Sequence, residues 1–591
     1  MESSSNGATS RHYDSENNDG GAIPLPPGMD ASWFAREGIN VLLNGGVGHA
    51  EQLFKKFRQC SPQLSAGASL VDFITAAMTF EDEKMEHALN SLKGTIKMCQ
   101  VDTLFEGIIH KRPSEKWSTV ERIERMIIWA DCELFLAFLM FLKQSVIDFV
   151  KAGYHMRRAW KMYDKCQKEI LGFETGSVNS KDNTQKKRKK SNRTPTPPSN
   201  LSSEDTNTLN ASLSFGYGLI QVAVSIVPTT LLKVCEIFGF TADRDIGLNA
   251  LHVSSSSKDM KAPIARLTLL WYHTVVRPFC ALDGNNIEKG LHEASLILLD
   301  SEKEFPTSAI FLYFKALICR LRGNLDEALE ILTKTMETSK EQREIALLCS
   351  YDRGWCHLMK LEWEHAYPCF SQLKSQSRWS EAYYTYLLAV TLGALGRSDE
   401  AYIFLKSVPK LVVRKTQLEI FLARKSHLFK KSAPSEVEYI ILGLELLYLW
   451  NALPQCSEEG LRKMLLELNK CESPGMQPLK SLIMGSIFSI LGDMQNSLMH
   501  LHTASCKTDT KATDPHVIPY ALYELAVIQI QKEENFEKGR EILHKVKDTY
   551  SGYDFENRLN FRLHAALNNL DDRDDLSRAQ SKLAAPALDG L

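Results

Sequence analysis

The chain has 591 residues, 44% of them hydrophobic and 24% charged, with a formal net charge of -2. That balance suits a folded body with a sizeable core, and it gives no global pull towards nucleic acid or an acidic membrane. The 13 cysteines are dispersed, odd in number and without a CxxC pair, which argues against a disulfide framework or a zinc ribbon and for reduced, mostly buried thiols in the cytosol or nucleus.

Residues 1–28 are rich in Ser, Asn, Asp and Gly and have no apolar core, so they are expected to be a disordered segment and not a secretory signal; Glu2 excludes myristoylation. Residues 29–171 are expected to hold helical repeats and long helices. Phe34, Gly38 and Val41 share one helix, Asn44 to Gly46 turn, and Ala50, Phe54 and Phe57 lie on a second that Pro62 stops. Small residues on both helices with large ones around them form the tetratricopeptide pattern. A poorer unit follows with Ala76, Ala88 and Leu92. From Trp117 to Leu171 the pattern is of long helices, and Asp131, Glu133 and Lys143 interrupt the first apolar run before it could span a membrane.

Residues 172–210 lose apolar periodicity and read as a disordered basic linker. Lys186, Lys187, Arg188, Lys189 and Lys190 are either a nuclear-import signal or solvated linker charge, and Thr194-Pro195 and Thr196-Pro197 offer phosphorylation sites beside them. Residues 211–284 form a central apolar helical element. Leu219, Val222, Ile226, Leu231, Leu232, Val234 and Ile237 recur mostly at helical spacing, Pro228 should divide the stretch into two short helices near Val227, and Gly239 should end the second. The next aromatic helix should end at Pro278; His273 and Arg277 within it are expected to make structural hydrogen bonds.

Residues 285–568 carry the clearest repeats and a capping helix, with a frayed tail over 569–591. Ala316, Gly323, Ala328 and Leu332 define one pair, Gly354, Ala366 and Phe370 the next, and Ala389, Gly396, Ala401 and Leu405 a third. The alanines at 328, 366 and 401 keep close to the roughly 34-residue tetratricopeptide period. Val437 to Leu468 is a weaker pair, Gly485, Phe488, Gly492, Ser497 and Leu501 restore the pattern, Tyr523, Ala526, Gly539 and Leu543 continue it, and Phe555 to Leu567 caps the array. The fold class is therefore all-α, a tetratricopeptide-type solenoid around the central element.

In such repeats the first helix of each pair lines a groove, which places Tyr313, Leu317, Arg320, Tyr351, Trp355, Tyr383 and Tyr386 as candidate partner-binding residues. Aromatics and Arg are the usual anchors of protein interfaces. Clamping of a peptide carboxylate by Lys and Asn is not expected, because Tyr313, Leu317, Tyr351 and Trp355 stand there. No Walker loop, HExxH, GxSxG or dinucleotide fingerprint occurs, so no enzyme, cofactor or metal is expected. Protein partners are expected, nucleic acid and a transmembrane span are not, and the alternative is peripheral attachment to an organelle membrane through Ser214 to Leu248.

The segments INVLLNGGVGHAEQLFKKF, AAMTFEDEKM, GYGLIQVAVSIVP, GFTADRDIGL, LLWYHTVVRPF, GWCHLMKLEWEHA, PYALYEL and FENRLNFRLHAAL resemble the tetratricopeptide repeat protein 39 family over nearly the whole folded region. The central ones are specific, since they lie outside the generic repeat pattern. The resemblance implies an intracellular, cytoplasmic helical-repeat protein without known catalytic residues. For one member it implies a role in cilium assembly, with the ciliary base or nucleus as further locations. Fungal relatives imply protein quality control, inclusion-body clearance and links to mitochondria.

Overall fold

The computed structural model describes residues 30–100, 117–143, 146–176, 202–226, 242–280, 286–339, 342–414, 416–506 and 514–584, with Leu25 and Leu282. Among them there is no strand. The N-terminal 24 residues, the basic run from Lys186 to Lys190, the Thr-Pro sites and residues 227–241 of the central element, with Pro228 and Gly239, lie outside the described residues.

Asp30 caps α1 (Ala31–Leu43) by accepting from the N–H groups of Ser32 and Trp33. Helix α2 (Val47–Phe57) returns along it, and a Cβ on Gly38 would sit 2.5 Å from Phe54, so glycine is what lets the pair close. Pro62 does more than stop α2: it is the first residue of α3 (Pro62–Thr79), where its missing N–H costs nothing. Helix α4 (Asp82–Cys99) completes the second pair, and Ser65, Ser69, Ser91 and Thr95 bond one another across it in the core.

The long helices α5 (Thr119–Lys143) and α6 (Val146–Gly176) pair, and α7 (Ser203–Ser225) joins them. Residues 203–210, expected in the linker, are helical. Ser202 and Asp205 form a reciprocal capping box and Leu209 is buried, two local signals that outweigh the polar composition. Leu209, Leu213, Ile220 and Val224 of α7 enter a core shared with α5 and α6, while Phe215 and Val222 enter the larger core that runs through the rest of the chain. The first part of the central element is thus a helix buried between two cores. It ends at Ser225, close to the expected stop, and crosses α8 (Arg244–Ser255) where Gly218 and Gly247 allow backbone approach.

Helix α9 (Ala262–Trp271) continues into a π turn at Tyr272–Val276, where the N–H of Arg277 reaches the carbonyl of Tyr272, and then into a final turn, Arg277–Phe279. Pro278 lies inside that turn, one residue before its end. His273 is buried there and its Nδ1 faces Arg277 Nη1 at 3.1 Å.

Helix α10 (Glu288–Glu304) leads to three regular pairs: α11 (Ala309–Leu321) with α12 (Leu325–Thr338), α13 (Arg343–Met359) with α14 (Trp363–Gln376), and α15 (Glu381–Ala394) with α16 (Ser398–Ser407). Ala328, Ala366 and Ala401 are fully buried at equivalent places, as their spacing requires. A short helix with no expected counterpart, α17 (Gln417–Leu428), is followed by α18 (Glu436–Leu449) and α19 (Glu458–Asn469). The last pairs are α20 (Gln477–Ile490) with α21 (Met494–Ser505) and α22 (Val517–Gln529) with α23 (Phe536–Thr549). The closing helix α24 (Glu556–Ala584) packs on α22 and α23 and continues through most of the stretch expected to fray.

Candidate partner-binding groove

Helix α11 presents Tyr313, Leu317 and Arg320 at intervals of four and three, which puts them on one face; α13 presents Tyr351 and Trp355, and α15 Tyr383 and Tyr386, in the same way. Asp352, which sequence reasoning passed over, ties the first two helices together. It accepts from the Tyr313 hydroxyl at 2.7 Å and from Arg320 Nη1 at 2.5 Å. Burial pushes the Asp352 carboxyl up, while Arg320 and Tyr313 pull it back. For Arg320 burial is the largest influence and opposes the charge, but Asp352 together with Cys356, Tyr313 and Tyr351 outweighs it, so the guanidinium stays charged. The Tyr351 and Tyr383 hydroxyls lie 3.2 Å apart and link the second helix to the third.

Later parts of the chain cover this face. Trp450, just after α18, stacks on Trp355 at 5.7 Å and on Tyr383 at 5.9 Å. Phe555, just before α24, meets the Trp450 ring edge-on at 5.7 Å. Arg558 lies over Phe279 at 3.6 Å and over Trp450 at 4.8 Å, and donates to the Leu449 carbonyl. A guanidinium between aromatic faces is held by the ring quadrupoles as well as by that carbonyl.

The seven candidate positions are therefore unequally accessible. Trp355, Tyr383, Tyr386 and Leu317 are at most 1% exposed and Tyr313 is buried; only Tyr351 and the Arg320 side chain, at 17%, reach the surface. Trp450, Phe555 and Arg558 enclose the cluster, and no periodicity near residue 350 signals them. Tyr386 belongs to a separate environment, under the influence of Glu445 and Asp514 in an ionic centre behind the aromatic cluster. The thiols nearby are packing groups: burial pushes Cys349, Cys356 and Cys456 up to about 12, far from a thiolate at neutral pH.

No helix among the described residues is long and apolar enough to cross a membrane. A family model described as Iml2/Tetratricopeptide repeat protein 39 matches residues 36–506. Among solved structures, the chain is similar to the human IFIT1 dimer with PPP-AAAA, at 14% identity over 80% of this chain and 94% of that one, with a TM-score of 0.29. It is also similar to the APC/C hetero-tetramer Cut9-Hcn1, at 12% identity over 91% and 89%, with a TM-score of 0.24.

Proposed function

The chain belongs to the Iml2/tetratricopeptide repeat protein 39 family, and from that premise we propose that it is a non-enzymatic scaffold that binds protein partners through its helical repeats. The observation that supports this most directly is the register of α11 to α16, where fully buried alanines at 328, 366 and 401 hold three pairs in the same arrangement. Stacked pairs of this kind build an extended surface.

Within that surface we assign Tyr351 and Arg320 as the contact residues. Tyr313, through Asp352, and Trp355 and Tyr383, beside Tyr351, form the floor that fixes them, Leu317 is buried on the helix of Arg320, and Tyr386 lies apart in the ionic centre. The central motifs resemble the family's C-type member, and on that resemblance the proposed setting is the cytoplasm at the ciliary base, in cilium assembly. Proximity labelling in ciliated cells tests the reading with the full chain and a Tyr351→Ala variant that retains its circular dichroism. A specific set of neighbours is expected to disappear in the variant. An unchanged set would move the partner site elsewhere.

A second reading, peripheral membrane contact, is favoured by one feature. Ile147, Val150 and Tyr154 fall on one face of α6 and are 57–69% exposed. If that face meets lipid, the full chain is expected to float with liposomes and an Ile147→Ser, Val150→Ser variant is not; equal recovery of the two would sink this reading.

A further inference from the structure

Three clusters among the described residues bring histidine and carboxylate donors together: His252, His273 and Glu293; Glu445, Asp514 and His516; and His357, Glu362 and His365. The first is compromised for a cation, because a guanidinium nitrogen of Arg277 faces His273 Nδ1 at 3.1 Å. Its donated hydrogen fixes the ring proton on Nε2, the nitrogen that faces Glu293 at 3.3 Å. The second already holds a cation: Lys425 Nζ lies 2.9 Å from Glu445 and 2.7 Å from Asp514, deep in the core.

The third is different. His357 lies in the last turn of α13, Glu362 stands at the N-cap position of α14 without a capping side-chain bond, and His365 lies in the first turn of α14. The two imidazole rings are stacked 5.3 Å apart, His357 Nδ1 is 2.8 Å from Glu362 Oε2, and one donor atom of each residue lies within 4.8 Å of the other two. A tetrahedral site with bonds of about 2.0–2.1 Å requires these donors to draw closer by side-chain rotation.

The neighbouring repeats show that this set is not a by-product of the pattern. Counting back from the key alanine of each pair, the three positions hold Cys319, Asn324 and Glu327 before Ala328, and Leu392, Arg397 and Glu400 before Ala401. Only the middle pair has His, Glu and His. Its turn departs as well: where the other pairs have Gly323 and Gly396 at positive φ, it holds Leu361 at φ +58°, a left-handed conformation that L-residues other than Asn and Asp rarely adopt.

We propose that His357, Glu362 and His365 bind a divalent transition ion of the Zn2+ class, with the fourth coordination position open to the adjoining groove. That groove has a volume of about 640 Å3 and is lined by His357, His365, Glu330, Glu337, Lys334 and Arg353, among others. Three protein donors with one open position are the arrangement of a zinc site that exchanges a ligand. Lys360 now pairs with Glu362 at 2.7 Å but also with Asp326 at 2.7 Å, so it keeps a partner when the ion takes Glu362.

The test is a Co2+ titration of the full chain after chelator treatment and desalting, followed by visible absorption and by competition with Zn2+. One equivalent is expected to give the intense bands of tetrahedral Co2+, which Zn2+ then removes. His365 is exposed, so His365→Ala should fold normally and lose the site, and His292→Ala, an exposed control elsewhere, should keep it. No tetrahedral spectrum in the wild type, or the same spectrum in His365→Ala, overturns the proposal.

Discussion

Replacing Lys425 with methionine is expected to destabilise the protein by about 3–5 kcal/mol, the usual effect of removing one partner from a buried charge network. Lys425 is fully buried. Its ammonium is 2.7 Å from Asp514 and 2.9 Å from Glu445. Arg424 pairs with Asp554 at 2.6 Å, and His516 lies 3.3 Å from Glu445 and 3.4 Å from Asp554. Three carboxylates thus face one ammonium, one guanidinium and one imidazole, and the cluster balances only with the imidazole protonated. Without Lys425, Glu445 and Asp514 share a dry core with too little positive charge. Adding Glu445→Gln to Lys425→Met removes one of the stranded carboxylates and is expected to recover part of the loss, which urea unfolding of the single and double variants measures.

The same cluster gives stability a pH dependence whose sign follows from its pKa shifts. For His516, burial lowers the pKa, but the hydrogen bond to Asp554 and the neighbouring Glu445 and Asp514 carboxylates outweigh it, so the value lies above the ordinary 6.5. That contribution is complete below pH 6.5 and is lost as pH rises through the folded value. Burial pushes Asp514 and Asp554 up, yet Lys425 for the first, and His516 and Arg424 for the second, bring both below the ordinary 3.8. Their contribution is present above 3.8 and lost as pH falls through the lowered values. The wild type is therefore expected to lose stability above pH 6.5, and His516→Gln to lack that slope in thermal melts over the same range.

This ionic centre also explains what the sequence hid. The alanines at 328, 366 and 401 were legible because helix-pair packing is local: a small residue on one helix and a large one on its neighbour recur within a single repeat. Helix α17 was invisible because Glu419 and Lys425 occupy core positions that an apolar pattern would have marked. The candidate groove residues lie on the first helices of their pairs, but Trp355 and Tyr383 are covered by Trp450, itself packed against Phe555 and Arg558, which arrive from far along the chain. Amphipathic spacing says which face of a helix is buried against something; it carries no information about which distant segment does the covering. The start of α7 was lost for a simpler reason, since a capping box is written in the same polar residues as a linker.

Gly216→Ala is the second change expected to be severe, at about 4 kcal/mol or more, and its cause can be separated by a second substitution. A Cβ at this position would lie 1.9 Å from the Tyr163 hydroxyl oxygen and 2.6 Å from Asp131 Oδ1. Those two atoms are bonded to each other at 2.6 Å, and Asp131 is also the partner of buried Lys261 at 2.8 Å. The methyl group therefore does more than overpack, which alone costs about 1–3 kcal/mol. It drives apart a hydrogen-bonded ion pair that has no water to fall back on, the more expensive failure. Tyr163→Phe removes the clashing hydroxyl but leaves Asp131 with one donor fewer, a loss of about 1–3 kcal/mol on its own. If the clash with that oxygen dominates, Gly216→Ala in the Tyr163→Phe background should cost clearly less than in the wild type, a coupling that a thermal double-mutant cycle reads directly. Additive losses would instead place the strain on the Tyr163 ring carbon Cζ and on Asp131, both of which Tyr163→Phe leaves in place. Gly94→Ala is the control: Gly94 is exposed within α4, a Cβ added there would meet nothing within 4 Å, and helix propensity alone predicts a gain of about 1 kcal/mol.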